Sequence, residues 1–216
     1  MHAWVYLAIG VVGYLLGSIP TGFLVARARG IDIRSVGSGN IGATNAFRIL
    51  GKGPGSFVLL ADAVKGAAGC AGLPWLAGLL GWIPADALAD SLDTLRITGG
   101  IASVLGHNYT CWLGFKGGKG IATSAGVLAA LVPWAFLVVL AVFLVVFGIS
   151  RYVSLGSISA AAALPVATWL THGSRTLIGV TLFMSVLAIY KHRANISRLL
   201  QGTENRVGSP RKEASP

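Results

Sequence analysis

The sequence predicts an all-α integral membrane protein: a seven-transmembrane helical bundle with some short spans, its N-terminus outside and its C-terminus cytoplasmic. Three observations carry that expectation. Only 11% of the 216 residues are charged and 54% are hydrophobic, with a mean hydropathy of +0.73. A soluble domain carries about 25% charged residues, so this chain has too little polar surface for a soluble enzyme and is too apolar for a disordered one. The apolar residues fall in long charge-free stretches. The net charge of +10, from 17 Lys and Arg against 7 Asp and Glu, is gathered between those stretches, where it points to membrane topology and anionic ligands rather than nucleic acid. Residues 1–205 are expected to form a single membrane-embedded domain and 206–216 a basic, disordered cytoplasmic tail.

Residues 3–26 carry no charge, no basic segment precedes them and more apolar stretches follow, so they read as a retained span rather than a cleaved leader. The second span is uncharged from 66 to 85 and is expected to begin near Gly55, enclosing Asp62 and Lys65. Residues 97–115, 152–174 and 176–190 give three more. The stretch 120–150 can cross once, or twice with a break at Pro133, and charge parity decides. Place Arg27, Arg29, Arg34, Arg48 and Lys52 inside. The loop with Asp86, Asp90 and Asp93 is then outside, and Lys116 and Lys119 return inside. Two crossings put all but Lys65, Arg96 and Arg175 of the 17 basic residues inside, whereas one crossing leaves the basic tail outside. Two passes of ~15 residues reach only ~22 Å against a ~30 Å hydrocarbon core, which suits shielding by neighbours or a thinned bilayer. Cys70 and Cys111 lie in apolar stretches and read as small buried hydrophobes.

Three polar segments fall on the inner face in this topology: 36–45 followed by Arg48, 114–120, and 190–195 leading to Glu204. Gly37, Gly39 and Gly42 match G-x-G-x-x-G, but no strand precedes them and the acid about 20 residues on is Asp62, inside an apolar helix, so the dinucleotide reading fails. Lys116 to Gly120 lacks the spacing of a Walker A loop. Closely spaced glycines can still turn backbone N–H groups toward an anion. Gly37, Gly39, Asn40, Thr44 and Asn45 of the first segment and Gly117, Gly118 and Gly120 of the second are therefore candidate phosphate contacts, with Arg48 and Lys119 supplying charge. His192 and Asn195 share a face if the last span continues inward. Asp62 and Lys65, three apart, read as a mutually neutralising structural pair, and His107 as a packing residue. No metal spacing or nucleotide motif points to a cofactor.

At VGSGNIGATNAFRILGK (36–52), GFKGGKGIAT (114–123), RYVSLGSIS (151–159) and YKHRANISRLLQGTEN (190–205), in that order, the chain resembles the acyl-phosphate-dependent glycerol-3-phosphate acyltransferases of bacteria (PlsY type) over roughly residues 10 to 205. The resemblance implies a seven-span enzyme of the bacterial inner membrane, its active site facing the cytoplasm. The reaction it implies moves a fatty acyl group from acyl phosphate to the sn-1 hydroxyl of glycerol 3-phosphate, giving lysophosphatidic acid and phosphate. By position it makes Ser38, Arg48, Lys119, His192 and Asn195 catalytic, Ser154 a phosphate contact and Glu204 structural. Thr110 departs from the family, which usually has proline there.

The expected partners are the two substrates and membrane lipid, with no nucleic acid and no cofactor, and a monomer is the working expectation. The only acid in the motifs is Glu204, to which the resemblance gives a structural role, so no triad with Ser38 and His192 is expected, which favours direct transfer without an acyl-enzyme. The rival readings are a polytopic transporter of an organic phosphate, disfavoured because the polar groups gather at one face rather than near mid-bilayer, and an anionic-lipid-binding scaffold.

Overall fold

The computed structural model describes residues 2–83 and 85–208, and every regular element among them is helical. The chain separates into two compact units, Met1–Pro133 and Trp134–Pro216.

The first unit opens with α1 (Ala3–Ser18) and α2 (Thr21–Arg27), parted at Pro20, which has no N–H to continue the helical ladder. A break in apolar surroundings frees carbonyls that must find donors. Thr110 Oγ1 donates to the Ser18 carbonyl at 2.6 Å, and Lys65 Nζ to the Ile19 carbonyl at 2.9 Å. Thr110 also has φ −63°, the value a proline ring imposes. Thr110 thus takes a backbone angle open to proline and supplies a hydroxyl that satisfies α1.

After α3 (Ala43–Leu50) and α4 (Lys52–Ala67), a π-turn (Ala68–Gly72) leads into α5 (Leu73–Leu79), followed by α6 (Ala85–Asn108) and α7 (Ile121–Leu131). α1 packs mainly on α6, and α4 on α7. Lipid supplies no hydrophobic force between helices, so association rests on close packing at small residues. A Cβ on Gly17 would overlap the Ser103 carbonyl, one on Gly106 the Tyr14 carbonyl, and one on Gly66 the Thr123 carbonyl. Side chains tie the α1–α6 seam: Ser103 Oγ donates to the Gly13 carbonyl at 3.1 Å, and Tyr14 Oη to the Tyr109 carbonyl at 2.7 Å. One apolar cluster joins Val5, Ile9, Ala77, Ile83 and Leu95. A second joins Ala26, Ile33, Ile41, Ala46 and Val58, with Leu113 packed against it. Ile41 comes from the first glycine-rich segment, Ile33 from the approach to it and Leu113 from the approach to the second, so one cluster anchors both.

The second unit holds α8 (Pro133–Ser150), which begins at its boundary, then α9 (Val153–His172), α10 (Arg175–Lys191) and α11 (Arg193–Leu200). α8 is apolar on all sides and buries little beyond Ala135 and Val139, as a lipid-facing helix does. α9 pairs with α10, and Ser185 Oγ donates to the Ala161 carbonyl at 2.6 Å. Arg206 Nε donates to the Ser150 carbonyl at 3.1 Å and the Val207 N–H to the Arg151 carbonyl at 3.0 Å, which pins the segment after Glu204 to the α8–α9 turn.

By length and apolarity, Ala3–Arg27, Lys52–Leu79, Pro133–Ser150 and Val153–His172 can each cross a membrane, with a fifth span if the bent pair Arg175–Lys191 and Arg193–Leu200 is one. The stretch 120–150 breaks at Val132 (φ −138°, ψ 65°), since the residue before proline is pushed out of the helical region.

Several boundaries differ from the sequence reading: the first span, expected unbroken over 3–26, is split at Pro20, and the second ends at Leu79 rather than near 85. The stretch with Asp86, Asp90 and Asp93, expected as a loop, is the first part of α6, whose backbone is helical from Ala85. The α-helix expected over 97–115 ends at Asn108 and is followed by a short 3-10 turn at Cys111–Leu113. The helix enclosing Asp62 starts at Lys52 rather than Gly55, and Pro54 is tolerated there because a first-turn N–H has no helical acceptor. The last span does not run straight through His192 but bends by 56°. The remainder of the expected tail, 209–216, lies outside the described residues.

Candidate active site

The first segment is shaped by one buried side chain. Asn45 is 1% exposed on α3, and its carboxamide is committed inside the loop. Oδ1 accepts the Ser38 N–H at 3.0 Å, while Nδ2 donates to the Ile33 carbonyl at 3.2 Å and the Val36 carbonyl at 3.1 Å. Gly37 has φ +62°, and a Cβ there would overlap Asn45 Oδ1, so only glycine fits. Asn40 Oδ1 accepts the Gly42 N–H at 2.9 Å, and the Val36 carbonyl accepts the Gly39 N–H at 3.1 Å. The expectation that these backbone N–H groups converge on an anion therefore does not hold for Ser38, Gly39 and Gly42, whose N–H groups are donated within the loop. The loop instead presents side chains. Ser38, Thr44 and Arg48 are exposed, and Thr44 and Arg48, four apart, share a face of α3. Arg34 is not part of that display. It donates to Asp32 through Nη2 at 2.7 Å, and this guanidinium holds the Asp32 carboxyl at about 2.

The second segment is moulded on the end of α6. The Gly117 N–H donates to the Asn108 carbonyl at 3.2 Å and the Gly118 N–H to the His107 carbonyl at 3.0 Å. A Cβ on Gly118 would overlap the His107 imidazole and one on Gly120, where φ is +76°, the Asn108 carboxamide. These glycines are thus required first by the fit to His107 and Asn108, and the N–H groups of Gly117 and Gly118 end helix α6 rather than face a ligand. Lys119, partly buried, stands between two residues held in this way. Sequence reasoning missed Asn108, although its place next to His107, just before the loop, was a signal.

The second unit brings together the rest. His192, 3% exposed, occupies the bend between α10 and α11, and its Nδ1 lies 2.8 Å from the Ala188 carbonyl. A carbonyl only accepts, so Nδ1 carries the proton, and the lone pair of the neutral ring sits on Nε2. Glu204 gathers three donors from two helices. Its Oε1 accepts from Ser154 Oγ of α9 at 3.0 Å and from Asn195 Nδ2 of α11 at 2.8 Å, and its Oε2 accepts from Arg198 Nε at 2.7 Å. Burial raises the Glu204 carboxyl, but these donors and the Arg198 charge outweigh it and hold the group below its ordinary value. Ser154, expected as a phosphate contact, spends its hydroxyl proton on Glu204. Arg198, which the sequence reading did not single out, is the charged partner of that hub.

Asp62 and Lys65 form the expected pair, with Nζ 2.8 Å from Oδ1, and both are buried. They are neighbours of the second segment through His107, whose Nδ1 lies 3.7 Å from Asp62 Oδ1.

Fold and loops together define a helical integral membrane protein whose polar side chains are set on glycine-fitted turns. A family model for glycerol-3-phosphate acyltransferase matches residues 7–202, and the chain belongs to that family. It is 46% identical over 200 residues to a glycerol-3-phosphate acyltransferase of Geobacter sulfurreducens, covering 93% of this chain and 96% of the relative. It is 45% identical over 202 residues to one of Thermosynechococcus vestitus, covering 93% and 94%. In three dimensions it resembles the crystal structure of PlsY, an integral membrane glycerol 3-phosphate acyltransferase, in its glycerol 3-phosphate form, with a TM-score of 0.83, 38% identity and 94% and 96% of the two chains covered. Against the lysophosphatidic acid form the TM-score is 0.80 at 37% identity, with 94% and 95% covered.

Proposed function

We propose that this chain transfers a fatty acyl group from acyl phosphate to the sn-1 hydroxyl of glycerol 3-phosphate, releasing lysophosphatidic acid and inorganic phosphate. What carries the reading is the likeness, over nearly the whole chain, to a structure holding glycerol 3-phosphate. The proposal places the protein in a bacterial cytoplasmic membrane, with seven crossings, the N-terminus outside, the polar segments facing the cytoplasm and the monomer as the working unit. Residues 1–205 serve as one catalytic domain in this reading.

Acyl phosphate is a mixed anhydride, so its carbonyl is already activated and phosphate is a good leaving group. The protein's task is to hold two like-charged partners in register and to absorb charge. Arg48 and Lys119 neutralise phosphate oxygens, and the hydroxyl of Ser38, on a loop stiffened by Asn45, donates to them. The substrate hydroxyl attacks the acyl carbon as the carbon–oxygen bond to phosphate breaks, and Nε2 of His192 takes its proton. Asn195 and Ser154 act through Glu204, which fixes α11 beside His192. Transfer is direct, with no acyl-enzyme.

Purified protein in detergent, given acyl phosphate and glycerol 3-phosphate, should form lysophosphatidic acid and phosphate in equal amounts, with acyl-CoA and acyl-carrier-protein thioesters inactive as donors. Turnover with a thioester alone would reject the donor. An acyl group trapped on Ser38 by hydroxylamine would reject direct transfer.

A further inference from the structure

His107 is buried, 5% exposed, and it lies between a buried carboxylate and a glycine loop. On one side its Nδ1 is 3.7 Å from Asp62 Oδ1, a polar contact longer than an ordinary hydrogen bond. Asp62 is itself held by Lys65, and Lys65 by the Ile19 carbonyl. On the other side, the imidazole fills the space a side chain at Gly118 would need, and the Gly118 N–H donates to the His107 carbonyl at 3.0 Å. The ring is thus the floor on which the residue before Lys119 rests.

We infer that His107 is a positioning residue for the substrate phosphate. Steadied by Asp62, its ring sets the backbone at Gly118 and so the place from which the Lys119 ammonium reaches its anion. The inference rests on the reading above, in which Lys119 binds the phosphate of glycerol 3-phosphate. It gives the Lys65–Asp62 pair a purpose beyond charge neutralisation, namely to hold still the ring that holds the loop.

The test is a double-mutant cycle on the purified full chain, with KM and kcat for glycerol 3-phosphate read separately. His107→Ala should raise KM about tenfold or more, with a smaller fall in kcat, because the binding group is misplaced rather than removed. Gly118→Ala drives a methyl into the imidazole and should be at least as damaging. The double variant should recover part of the Gly118→Ala loss, because the atom the methyl strikes is gone. Should His107→Ala fail to fold, His107→Asn, shorter but still polar, carries the same cycle. An unchanged KM in a His107 variant that merely melts earlier, or effects at 107 and 118 that simply add, would overturn the inference while leaving the activity intact. A wild-type chain that forms no lysophosphatidic acid would overturn the functional reading, and this inference with it.

Discussion

Asn45 holds Ser38 by its backbone: a carboxamide oxygen inside the protein accepts the Ser38 N–H at 3.0 Å, while the amide of the same side chain holds the carbonyls of Ile33 and Val36. The exposed hydroxyl of Ser38 therefore inherits its position from a buried neighbour seven residues later. Asn45→Ala leaves three backbone groups without that partner and should lower stability by about 1–3 kcal/mol and turnover by about 100-fold. Asn45→Asp should fare no better, since a carboxylate cannot donate to two carbonyls. Melting in detergent and initial rates check both, and an Asn45→Ala enzyme with normal turnover would show that the loop does not need its anchor.

Arg48 is exposed and Lys119 partly so, and their proposed work is electrostatic. Arg48→Ala and Lys119→Ala should each cut kcat/KM by about 10²–10³ with melting temperatures near wild type. A loss of activity matched by a loss of folded protein would make the cations structural instead.

His192 supplies a directional contrast. Asparagine retains a donor for the Ala188 carbonyl but has no counterpart of Nε2. His192→Asn should keep the bend and lose about 10²-fold or more in kcat. Substantial residual kcat would assign the proton to another acceptor.

Glu204 has a pH signature whose sign follows from its hydrogen bonds. Its carboxyl lies below the ordinary glutamate value when folded, because three donors outweigh burial. The stabilisation is therefore complete above the unfolded value of about 4.3 and is lost as pH falls through the lowered folded value. Glu204→Gln should be less stable than wild type at neutral pH, and the gap should narrow in acid. Thermal melts across that range decide, and a constant gap would refute the role.

Glycines offer a stability test with an internal control. A Cβ at Gly106 would overlap the Tyr14 carbonyl, whereas nothing lies within 4 Å of one at Gly179. Gly106→Ala should cost about 1–3 kcal/mol. Gly179→Ala should be neutral or stabilising by up to about 1 kcal/mol.

What the sequence determined by itself was everything that follows from composition, order and local stereochemistry. Charge-free stretches made membrane helices, proline marked the break at Pro133, and four motifs in order pointed to one family. Asp62 and Lys65, three apart on one helix, were legible as a pair for the same reason. Tertiary structure alone decided how polar groups are spent. Nothing in the spacing of Gly37, Gly39 and Gly42 says that three N–H groups of that loop close on Val36, Asn40 and Asn45, or that Gly118 must spare room for His107. Nor does it say that the Ser154 hydroxyl answers to Glu204, fifty residues away. A hydrogen-bonding group carries no mark of its partner. In apolar surroundings it must find one, and the packing of distant segments settles which.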